Sequence, residues 1–129
     1  MGRRELRSPL GRAIGLGSAK EGVQHWWAQR VSAMALVLLG LWFVAALIAH
    51  AGADHAAVVH WLHAPVTAVL MVLLLAVVFY HAALGMQVVI EDYVHSEWLK
   101  LFSLLVMRLI SFVLAAAGIF AVLRIAFGG

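Results

Sequence analysis

His81 is the one histidine set well inside an apolar run, about nine residues or roughly 14 Å of helix from the run's later end. Two readings are open for an imidazole at that depth. It can tie two helices together through a hydrogen bond, or it can serve chemistry, the default expectation for an ionisable group within a membrane. Gly85 lies four residues on, on the same helical face, where a missing side chain lets a flat macrocycle approach the backbone beside the imidazole. That pairing suits haem, whose iron takes axial histidine. A six-coordinate haem needs a second axial ligand. His50 sits at a membrane boundary and the third apolar run has no histidine, so a partner chain is expected to supply it.

Asp92 follows His81 by eleven residues, and eleven steps of about 100° return to nearly the same face, roughly 16 Å further along. Both residues are expected to face one partner. Tyr93 adds a phenolic O–H that can donate to a quinone carbonyl while the ring stays in the apolar boundary layer; anchoring in an aromatic belt is the plain alternative. Arg108 stands about seven residues into the third run, where its charge must either snorkel to the near surface or meet an anion such as a propionate or a partner carboxylate. His50, His55, His60 and His63 do not stack on one helical face at spacings of five, five and three, so no metal site is assigned to them.

The elements that must carry these residues are membrane spans. Of 129 residues, 65% are apolar and 12% charged, with a mean hydropathy of +1.01, which excludes a water-soluble domain. Three apolar runs, at about 31–49, 65–90 and 101–127, are each long enough to cross a bilayer, giving an all-α membrane protein with three transmembrane helices. Residues 1–30 form a basic leader and 31–129 the transmembrane anchor. A cleaved signal peptide, with Ala51-Gly52-Ala53 as its cutting site, is the alternative for the first run; the long leader and the length of the run argue against it. Pro65 is tolerated in a first helical turn. No cysteine is present, so disulfides and cysteine-ligated clusters are excluded from the chain.

Six of the nine Lys and Arg residues (Arg3, Arg4, Arg7, Arg12, Lys20 and Arg30) precede the first run, while residues 50–64 have none. This is a topology signal and not a nucleic-acid site: the N-terminus is expected to be cytoplasmic, the 91–100 loop cytoplasmic and the C-terminus periplasmic. Small residues, among them Ser32, Ala33, Ala45, Ala46, Ala49, Ala82, Ala83, Gly85, Ser111, Ala115 and Gly118, recur at spacings near three and four and mark expected helix contacts. Three helices leave much surface uncovered, so another membrane chain is an expected partner.

The block His81-Ala82-Ala83-Leu84-Gly85-Met86-Gln87-Val88-Val89-Ile90-Glu91-Asp92-Tyr93-Val94-His95 has a His, a Gly four on, and Asp-Tyr at eleven and twelve. It resembles the second-helix signature of the small hydrophobic membrane anchor subunit (cytochrome b small subunit) of succinate dehydrogenase. Gly17-Ser18-Ala19-Lys20-Glu21-Gly22 and His25-Trp26-Trp27-Ala28-Gln29-Arg30-Val31-Ser32-Ala33 resemble the leader of the alphaproteobacterial form. The resemblance implies that His81 is one axial ligand to the iron of haem b, with a histidine of a larger cytochrome b anchor subunit opposite. It implies that Tyr93 hydrogen-bonds ubiquinone, that Asp92 belongs to the polar surroundings that handle protons, and that Arg30 contacts a haem propionate. For Arg30 an ordinary positive-inside anchor is the alternative. His25 falls near the same edge and is given no role.

By the same resemblance the chain is an anchor in a four-subunit succinate:ubiquinone oxidoreductase, respiratory complex II of the bacterial inner membrane and of the tricarboxylic acid cycle. FAD and iron–sulfur clusters would reside in the flavoprotein and iron–sulfur subunits, because this chain has neither a dinucleotide fingerprint nor a soluble domain, and no catalytic residue for succinate. The alternatives are the membrane subunit of a fumarate reductase and a haem-free structural anchor.

Overall fold

The computed structural model describes residues 18–128, which are helical apart from short connections. Arg3, Arg4, Arg7, Arg12 and Gly17 lie outside the described residues. Four helices follow one another: α1 (Ser18–Ala49), α2 (His55–His63), α3 (Pro65–Tyr93) and α4 (Glu97–Ala126). Three are long and apolar enough to cross a membrane, as the apolar runs require. At 32, 29 and 30 residues, α1, α3 and α4 measure about 48, 44 and 45 Å, against a hydrocarbon core of about 30 Å. The excess lies largely at the end that carries Arg30 and Tyr93.

There the helices outrun the apolar segments that announce them. Helix α1 already runs from Ser18, α3 continues through Glu91 and Asp92, and α4 starts at Glu97, so the expected 91–100 loop contracts to residues 94–96. Hydropathy marks where lipid begins, whereas a helix propagates through Gln, Glu, Trp and Lys at little cost. Val94, with φ −98° and ψ 107°, breaks α3, its N–H still donating to the Ile90 carbonyl at 2.9 Å. The Lys100–Glu97 pair at 3.4 Å is exposed at its acid and adds little stability.

Helix α2 was not anticipated in the 50–64 connection. Gly52, at φ +81°, makes the turn after α1 in a conformation that L side chains disfavour. Asp54 then caps α2 by accepting from the Ala57 N–H at 2.8 Å. Ala64 is extended ahead of Pro65, as the proline ring demands, and Pro65 opens α3 where its missing N–H is harmless.

Helix α3 occupies the middle of a row, with α1 on one side and α4 on the other; among the described residues α1 and α4 do not pack together. Helix α2 rests against α3 and α4. Gly118 lets α4 approach α3: a Cβ there would stand 3.3 Å from Leu75 Cδ1. Among the described residues only Ser32, Thr67, Ala68, Leu74 and Val122 are buried, and large apolar side chains such as Leu38, Ile48 and Phe112 point outward. Such a surface needs lipid or a partner chain. Ala45, Ala49 and Ala82, expected at helix contacts, are among the exposed positions.

At the end away from Arg30, Trp61 of α2 stacks on Trp42 of α1 (6.1 Å between centroids) and lies 4.7 Å from the His50 ring. His50 Nδ1 donates to the Ala46 carbonyl at 2.9 Å, and His63 Nδ1 to that of Ala126 at 3.3 Å. These two histidines therefore secure helix ends.

Candidate functional site

His81 projects from α3 toward α1, and its Nδ1 lies 2.8 Å from the hydroxyl of Ser32. One turn on, Gly85 faces the same neighbour: a Cβ added there would meet only Gln29 Nε2, at 4.0 Å. The two residues thus share a face, as their four-residue spacing requires. On the α1 side, His25, Gln29 and Ala33 recur at the same helical spacing.

Between the two helices lies a groove of about 450 Å³ bordered by Gly22, His25, Trp26, Gln29, Arg30, Ala33 and His81. Arg30 and His81, far apart in sequence, therefore share one cavity. The Arg30 guanidinium sits 5.2 Å from the centre of the Trp26 ring, a cation–π contact that holds the charge at the groove's rim without consuming its hydrogen-bond donors. His25 adds a buried Nε2 that has no hydrogen-bond partner among the described residues, an arrangement that costs stability unless another group completes it.

Asp92 and Tyr93 do not border this groove. They lie on the last turn of α3, roughly 16 Å along the axis from His81, and both are exposed, Tyr93 at 78%. Asp92 shares the His81 face; Tyr93, one residue on, is turned about 100° from Asp92. Glu91 sits about 200° from Tyr93 and belongs to the opposite flank, where it accepts from Gln87 Nε2 at 2.8 Å. Gln87 Oε1 in turn accepts from Arg108 Nη2 at 3.1 Å. Within the chain the Arg108 charge is thus linked to a carboxylate through an intervening amide, away from the groove.

The groove's side chains fit the edge of a haem. They comprise one imidazole with Nδ1 already engaged, a guanidinium suited to a carboxylate, an orphaned imidazole nitrogen, and a Gly and an Ala where the walls must be thin. Among the described residues no three His, Asp or Glu side chains converge as a metal site. Gln29 and the orphaned His25 nitrogen are features that sequence reasoning left without a role, and Ser32 was expected only as a small residue at a helix contact. One signal for Ser32 was present: it is the sole hydroxyl in the first apolar run, two residues past Arg30.

Fold and site together define a membrane protein with three spanning helices whose His81 imidazole faces a basic-rimmed groove. Residues 4–115 match the family model described as succinate dehydrogenase/fumarate reductase transmembrane subunit. Succinate dehydrogenase hydrophobic membrane anchor subunits of Rickettsia bellii and Paracoccus denitrificans are 35% and 30% identical, covering 92% and 94% of this chain and 94% and 93% of their own lengths. The succinate dehydrogenase membrane anchor subunit of Reclinomonas americana is 31% identical over 71% of this chain and 79% of its own length. The chain belongs to the succinate dehydrogenase membrane-anchor family and is a multi-pass inner-membrane protein.

Proposed function

We propose that this chain anchors a succinate:ubiquinone oxidoreductase in the inner membrane and shares with a larger anchor subunit both a haem b and the site where ubiquinone is reduced. The observation that carries the reading is the groove common to His81 and Arg30, with Gly85 bare beside it. The names of the relatives support succinate oxidation over fumarate reduction. The basic residues before α1 support a cytoplasmic N-terminus and, after three crossings, a periplasmic C-terminus. The soluble flavoprotein and iron–sulfur subunits would then dock at the end that carries Arg30, Asp92 and Tyr93.

Haem b, when bound, supplies a one-electron store within the membrane. His81 offers it an imidazole nitrogen, Arg30 neutralises a propionate, and Gly85 leaves room for the ring edge. In the overall reaction succinate gives up two electrons and two protons to become fumarate, and ubiquinone takes up two of each to become ubiquinol. Tyr93 is suited to orient ubiquinone by donating its phenolic hydrogen to a carbonyl oxygen, a bond that strengthens as negative charge builds there. Asp92, exposed beside it, is suited to pass protons from the aqueous side to the reduced oxygen.

Tyr93→Phe in the whole complex tests this reading. It keeps the ring and removes the donor, so succinate-driven ubiquinone reduction is expected to fall on the order of tenfold or more. Reduction of an artificial dye by the soluble subunits should persist. Equal rates with ubiquinone before and after substitution would return Tyr93 to the aromatic belt.

A further inference from the structure

A serine hydroxyl owns one hydrogen, and two acceptors compete for that of Ser32. Its Oγ donates to the Gln29 carbonyl of its own helix at 3.1 Å, the back-bond common to helical serines. With that hydrogen on the carbonyl, the 2.8 Å contact with His81 runs from Nδ1–H to a lone pair of Oγ. The chain Nδ1–H to Oγ–H to carbonyl uses every polar hydrogen once. In that arrangement the imidazole is protonated at Nδ1 and presents a bare lone pair at Nε2. Ser32 is 6% exposed and comes from the neighbouring helix, 49 residues away, so the contact is sheltered from water and set by how α1 packs on α3.

We infer that Ser32 is a positioning residue: it holds His81 in the tautomer that offers Nε2 to iron and, by accepting from Nδ1–H, makes the imidazole a stronger electron donor. The inference rests on the proposed haem reading and adds to it a residue from α1 that acts through the ligand. A partner on the distal nitrogen orients a ligating histidine and tunes the metal it binds; loss of such a partner typically weakens binding tenfold or more. A stronger donor favours ferric over ferrous iron, so Ser32 should lower the midpoint potential of the haem. If its removal changes the ferric-over-ferrous preference about tenfold, the potential rises by about 59 mV for one electron.

The test is a redox titration of the haem in the intact purified complex, comparing wild type with Ser32→Ala and Ser32→Thr. Threonine keeps a hydroxyl able to back-bond within a helix, whereas alanine keeps the small size that close helix packing needs. A potential raised in Ser32→Ala and restored in Ser32→Thr is the expected result, as is haem lost from the Ala variant and kept in the Thr variant. A Ser32→Ala potential equal to wild type, or haem lost from both variants, would overturn the inference and leave Ser32 a packing residue. His81→Leu, read in the same preparation, keeps the two claims apart. If its b-type spectrum is unchanged, the haem reading itself fails.

Discussion

Two substitutions at Gly85 should change helix stability and haem binding in opposite directions. A Cβ at this position meets only Gln29 Nε2, at 4.0 Å, an ordinary van der Waals distance at the far end of a flexible side chain. Gly85→Ala therefore introduces no clash within the chain and gains helix propensity of about 1 kcal/mol. If a macrocycle approaches the backbone here, the same methyl intrudes on it at an overpacking cost of about 1–3 kcal/mol, a roughly 5- to 150-fold loss of affinity. Gly85→Val should deepen the haem loss. The assay is haem per protein in the purified complex, read beside its thermal unfolding. Gly118→Val is the contrasting control: its Cβ would stand 3.3 Å from Leu75 Cδ1, so it should loosen α4 on α3 and leave haem in place. Full haem occupancy in Gly85→Val would refute the reasoning, since no ring edge could then lie against that residue.

Three further outcomes are expected. A reporter fused after Gly129 should read as periplasmic and one inserted near Ser96 as cytoplasmic; both on one side would break the topology argument. Arg108→Leu should lower the thermal stability of the complex by about 0.6 kcal/mol, the average for interhelical hydrogen bonds in membranes, because Gln87 Oε1 loses its donor. It should leave the haem spectrum unaltered, since the pair lies away from the groove. Expressed without the larger anchor subunit, the chain should lack the bis-histidine spectrum proposed for the complex, and appearance of that spectrum would show that the second ligand need not come from a partner.

Much of the architecture was legible because membrane spans obey one dominant rule, an unbroken apolar stretch of sufficient length. The three crossings and the shared face of His81 and Gly85 followed from that rule and from helical periodicity. Helix ends were less legible. Glu91, Asp92 and Glu97 mark the edge of the lipid yet do not interrupt the backbone ladder, so the connection between α3 and α4 is far shorter than hydropathy suggests. Helix α2 was missed because the 50–64 stretch is too short and too rich in histidine to announce itself, although Asp54 caps it. Ser32 was read as one small residue among many. Its contact with His81 depends on how α1 and α3 pack across 49 residues, which no local pattern encodes. Arg108 was expected either to snorkel or to meet an anion, and the Gln87 amide that receives it was not anticipated, because the match between α3 and α4 decides which polar groups meet.

The central claim is that His81 holds a haem b in this chain's groove. The measurement that bears on it most directly is the reduced-minus-oxidised optical spectrum of the complex purified through this chain, wild type beside His81→Leu, with insertion of the chain confirmed in both. Leucine keeps an apolar side chain for the lipid and removes the nitrogen ligand, so the expected result is a b-type band in the wild type that is lost or changes spin state in the variant. A His81→Leu complex with the wild-type spectrum would contradict the account.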